Sequence, residues 1–98
     1  MKVKEILETA IKLVCKDRKE THGPDMRESF EKTANLWSNY LGYKIKAKDV
    51  PIMMVLLKVT RAKDGAFNQD DYVDMCGYSA LAGEIATMEQ SDEGEQNE

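Results

Sequence analysis

The chain has 98 residues, 42% of them hydrophobic, which suits one small globular domain and excludes two. Its formal net charge of −4 is held entirely by residues 90–98, where Asp92, Glu93, Glu95 and Glu98 stand without a base; setting those four aside leaves 14 of the 18 acids against 14 Lys and Arg. A body so balanced argues against sequence-independent DNA binding, which needs a basic face.

The first predicted helix covers residues 2–18. Val3, Ile6, Leu7, Ala10, Ile11, Leu13 and Val14 recur at helical spacing. Cys15 stands beside that face and reads as a buried small hydrophobe. Lys16, Arg18 and Lys19 place positive charge at the C-terminal end, where the macrodipole favours it. Glu20-Thr21-His22-Gly23-Pro24 then breaks the helix. The second helix is predicted from about Asp25 to Tyr40, with Met26, Phe30, Ala34, Trp37 and Leu41 repeating along it. Gly42 suits the left-handed position that ends it.

Asp49 and Pro51 open the third helix, Asp49 as its cap and Pro51 in the first turn. Ile52, Met53, Met54, Val55, Leu56 and Leu57 make it apolar on every side. Such a helix is buried all round, so it is either the central helix or a contact between copies. The fourth helix begins at Asp70 or Asp71 and runs to about Met88, with Tyr72, Val73, Met75, Cys76, Tyr78, Leu81, Ala82 and Ile85 on a broad apolar face. Residues 90–98 carry no apolar side chain and read as a disordered acidic tail. The predicted fold is therefore an all-α, four-helix bundle over residues 1–89, with a homo-oligomer expected because so small a body leaves apolar surface exposed. No apolar run approaches the roughly 20 residues of a membrane span, and the first residues lack a leader's apolar stretch, so a cytoplasmic protein is expected. Cys15 and Cys76 do not make a disulfide framework.

The charged residues around the third loop are the candidate site. Lys58 and Arg61 share a helix face at i, i+3; Asp70 and Asp74, at i, i+4, and Asp71 and Asp74, at i, i+3, share another. A short loop makes the last two helices antiparallel neighbours, which brings these groups to one end of the hairpin, with Tyr78 a turn further on. Lys58 and Arg61 suit a phosphate, and the carboxylates suit Mg²⁺. The same residues equally suit a structural salt-bridge cluster, since the macrodipole selects bases at helix C-termini and acids at N-termini. His22, the lone histidine, is a candidate ligand group or the side chain of a plain helix-joining turn. Glu28 and Glu31 form a second acidic pair that, with Asp71 and Asp74, can project into a bundle cavity and hold a divalent metal.

Arg18 with Thr21-His22-Gly23, Leu36-Trp37-Ser38, Tyr40-Leu41-Gly42, Asp49-Val50, Leu56-Leu57-Lys58, Arg61, Asp70, Asp74 and Gly77-Tyr78 together resemble a family of small uncharacterised all-α phage and prophage proteins. The resemblance covers about residues 15–82. It implies a phage or prophage source and groups Lys58, Arg61, Asp70, Asp74 and Tyr78. More distantly, Glu28-xx-Glu31 and Asp71-xx-Asp74 are similar to the acidic pairs of MazG-type all-α nucleotide pyrophosphatases, which act with Mg²⁺. This chain departs from that pattern in opening its helix with the first pair and in carrying Asp for Glu in the second.

Three functions follow as expectations. The first is a Mg²⁺-dependent nucleotide hydrolase, with Asp70, Asp71 and Asp74 as the catalytic carboxylates, Glu28, Glu31, Asp71 and Asp74 around the metal, and Lys58, Arg61, Tyr78 and His22 on the ligand. The second is a non-catalytic oligomer that sequesters a nucleotide. The third is a helical module that binds a host protein.

Overall fold

The computed structural model describes residues 1–17 and 26–96, and the side chains of these except at positions 16, 17 and 93–96. Four helices make up the described fold, and no strand occurs among the described residues. Helix α1 spans Val3–Ile11 and continues as a π-helical segment, Lys12–Asp17. Helix α2 spans Met26–Leu41, α3 spans Asp49–Asp64 and α4 spans Gln69–Gln96. The all-α expectation holds. Among the described residues no helix is long and apolar enough to cross a membrane. The predicted break at residues 20–24 lies outside the described residues.

Helix α4 is the central element, packing on α3 along one side and on α1 along the other. Phe30 and Ala34 of α2, Ala47 of the link, Val50 of α3, and Leu81 and Ile85 of α4 form the buried core, with Val14, Met26, Trp37, Ile45 and Tyr78 packed around it. Burying a side chain such as Ile85 stabilises by about 1.5–3 kcal/mol. Nearer the N-terminus of α4, Gly77 admits Val14 so closely that a Cβ there would lie 3.0 Å from Val14 Cγ1. The wider π-helical turn seats Val14 on α4, and the next residue, Cys15, faces solvent. The expectation of a buried Cys15 is corrected by that geometry.

Local signals set most helix ends. Gly42 has φ +69°, and its N–H donates to the Ser38 carbonyl at 2.8 Å, ending α2 as expected. Ser38 then ties the following link to α2: its hydroxyl donates to the Ala34 carbonyl at 2.7 Å and accepts the Ile45 N–H at 2.8 Å. Asp49 does not cap α3. Lys48 holds the cap position, and the Asp49 carboxylate reaches back to accept the Lys46 N–H at 2.9 Å. Asn68 caps α4, its side-chain oxygen accepting the Asp70 N–H at 3.0 Å.

Two expectations about packing change. Helix α3 is not the central helix: it buries Val50 and Pro51 and leaves Ile52, Leu56, Leu57 and Val59 exposed. The acidic segment read as a disordered tail continues α4 through Gln96. Asp92 there accepts a hydrogen bond from Arg27 Nη2 at 2.9 Å, and Glu89 lies 3.9 Å from Lys48 Nζ. The acids face bases on α2 and the link, which offsets their unfavourable place at a helix C-terminus. The bond from Asp92 raises the Arg27 guanidinium above its ordinary value, with Glu31 and Glu89 adding to the field.

Candidate functional site

The end of the α3–α4 hairpin carries one close charge pair. Lys58 Nζ lies 3.0 Å from Asp74 Oδ2, with the Lys58 side chain only 12% exposed. Helix α3 turns Lys58 toward α4 on the same side as Val50, Pro51 and Met54, so the cation meets the neighbouring helix and its stem is buried. This is the part of the predicted cluster that the fold assembles.

The other predicted members are placed differently. Arg61 is exposed and forms no ion pair among the described residues, while its carbonyl accepts the Gly65 N–H at 2.9 Å. Asp70 is exposed and engaged through its backbone by the Asn68 cap. Asp71 is 5% exposed, and its carboxylate has no hydrogen-bond or ion-pair partner among the described residues. Tyr78 is half-buried and packs against the core. Glu28 pairs with Lys32 at 3.3 Å and Glu31 with Arg27 at 3.2 Å, each one turn along α2. The fold does not bring Glu28 and Glu31 together with Asp71 and Asp74: among the described residues no three acidic, cysteine or histidine side chains gather to hold a metal ion. His22 lies outside the described residues.

Sequence reading missed two features of this end. Phe67, exposed in the loop, stacks obliquely on Tyr72 with ring centroids 6.2 Å apart. Its signal was an isolated aromatic residue in an otherwise polar loop. Asn68 stands just before the predicted fourth helix, and Asn in that position is a common cap.

The larger feature is apolar surface. Val3, Leu7 and Ile11 run along α1 at i, i+4, i+8 and are exposed. Leu36 and Tyr40 do the same on α2, Tyr40 at 89%. Ile52, Leu56 and Val59 run along α3 at i, i+4, i+7, with Leu56 at 61%. Scattered exposed hydrophobes are ordinary, whereas these stand in rows at helical spacing on three helices. The row on α3 is what remains of the all-round apolar run once one side has met α4.

Comparison with known proteins agrees with the phage-type reading. The chain is 36% identical to the Gene 55 protein of Mycobacterium phage L5 over 77 residues, 78% of this chain and 49% of that protein. It is 37% identical to the Gene 55 protein of Mycobacterium phage D29 over 90 residues, 92% of this chain and 58% of that protein. The chain therefore spans about half the length of these curated relatives. No solved structure matches it. A family described as a domain of unknown function, DUF6378, matches residues 5–86, and the chain belongs to that family.

Proposed function

We propose that this chain is a helical interaction module of a phage, acting in the host cytoplasm through apolar helix faces. The observation that carries the reading is the set of exposed rows on α1, α2 and α3. A fold that retains such rows against the cost of hydrating them has a use for them in binding. The test compares the wild type with Leu7→Glu, Leu36→Glu and Leu56→Glu, each at an exposed position that leaves the core intact. Light scattering and pull-down from host extract should show an association that at least one of these variants abolishes. A wild-type chain that associates neither with itself nor with any host protein at micromolar concentration refutes the reading.

One observation favours a second reading, a Mg²⁺-dependent nucleotide site at the hairpin end. Asp71 lies one turn before Asp74, which pairs with Lys58, and neighbouring carboxylates are the oxygen ligands that Mg²⁺ prefers. Asp71 and Asp74 would hold the ion, and exposed Arg61 would meet phosphate. A thermal-shift panel of nucleotides with and without Mg²⁺ tests it, because a bound ligand raises stability by mass action. Product formation separates a hydrolase from a sequestering binder, and a panel that shifts nothing removes both.

A further inference from the structure

We infer that the outer face of α3 is the seam of a two-fold homodimer in which the α3 helices of two copies run antiparallel about Leu56. The inference rests on the interaction-module reading and names its partner, a second copy of this chain.

The first support is area. The chain exposes 7193 Å², whereas a compact monomer of 11.1 kDa exposes about 5,650 Å². The excess is about 1,500 Å², against the roughly 800 Å² that each partner buries in a stable interface.

The second support is the composition of the face. On α3 the side turned from α4 carries Ile52, Met53, Leu56, Val59 and Thr60. Lys58, the charged residue of that stretch, is turned inward onto Asp74. A charge-free strip can face its own copy without like-charge repulsion, which a two-fold contact requires because the same patch supplies both sides.

The third support is charge register, and it sets the direction. Asp49, Leu56 and Lys63 stand seven residues apart, so they fall on one face of α3. Antiparallel pairing centred on Leu56 places Asp49 of each copy against Lys63 of the other. Parallel pairing would stack Asp49 on Asp49 and Lys63 on Lys63. The groups are available: one Asp49 oxygen accepts the Lys46 N–H, while the other oxygen and the Lys63 ammonium have no partner among the described residues.

Sedimentation of the full chain at micromolar concentration should give about 22 kDa, twice the 11.1 kDa monomer. Leu56→Glu should weaken association about 100-fold, because it places two acids at the axis of a dry contact. Leu36→Glu, on the α2 row, should leave the dimer intact. Lys63→Glu should weaken it about tenfold at low salt, and less at high salt. In a Cys15→Ser background, Leu56→Cys should form a disulfide between copies, as a residue on a two-fold axis meets itself. Helix content by circular dichroism confirms that each variant folds. A monomeric wild type overturns the inference, and the interaction-module reading then stands or falls on host-protein binding alone. A dimer that survives Leu56→Glu, or that Leu36→Glu disrupts equally, overturns the α3 seam while leaving that broader reading in place.

Discussion

Gly77 and Gly83 lie in the same helix, and their replacement by alanine should have opposite effects on stability. A glycine inside a helix costs about 1 kcal/mol relative to alanine, because its unfolded backbone is freer. At Gly83 a new Cβ meets nothing within 4 Å, so Gly83→Ala should gain that amount. For a domain of this size 1 kcal/mol raises the melting temperature by about 4–8 °C. At Gly77 the new Cβ would sit 3.0 Å from Val14 Cγ1, in a contact already closed. Overpacking of this kind costs about 1–3 kcal/mol. The propensity gain is then cancelled or exceeded, leaving a net loss of about 0–2 kcal/mol and a separation of about 1–3 kcal/mol between the two variants. Urea unfolding followed by circular dichroism, at one fixed protein concentration, measures both. The cause is checked by a cycle with Val14→Ala, which removes the methyl group in the way. In that background Gly77→Ala should recover the gain seen at Gly83. If Gly77→Ala stabilises the otherwise unchanged protein as much as Gly83→Ala, the π-helical segment does not seat Val14 on α4.

Other substitutions test separate parts of the fold. Asn68→Ala should cost about 1 kcal/mol by removing the cap of α4, with Asn68→Ser restoring most of it in the same unfolding assay. Ile85→Ala should cost about 2–5 kcal/mol, since Ile85 is fully buried in the main core. Asp92→Asn should leave the unfolding midpoint nearly unchanged, because its pair with Arg27 is solvent-facing; a clear loss would show that the end of α4 holds α2 in place. Lys58→Met should be tolerated better than Lys58→Ala in thermal melts, as Met keeps the buried stem that Ala removes.

The parts of the fold legible in the sequence were those written in local spacing. Phe30 and Ala34 mark the buried side of α2, and Gly42 marks its end, because each signal is complete within a few residues. The π-helical turn is not legible, as nothing in Lys12–Asp17 distinguishes it from the α-helix before it. The end of α4 was misread because polar, acidic composition argues for disorder while the bases that Glu89 and Asp92 meet lie far away in sequence. The charged site shows the same limit. Spacing put Lys58 with Arg61, and Asp70 and Asp71 with Asp74, on their own helices. The rotation of α3 against α4 decided that only Lys58 meets Asp74, and that rotation is a property of the packed pair. For α3 the composition required cover on all sides without saying which side α4 would supply.

The arrangement of α1 bears on how the molecule opens. This helix packs chiefly on α4, whereas α2, the link and the start of α3 share the Phe30–Ile85 core with the second half of α4. Helix α1 can therefore peel away while that core stays closed, a partial opening at lower free energy than global unfolding. Amide protons of Val3–Ile11 should exchange with solvent well before those around Leu81 and Ile85. An opening that also lifts Val14 uncovers Gly77 on α4, a transient contact face that a newly made chain shows until its first helix docks.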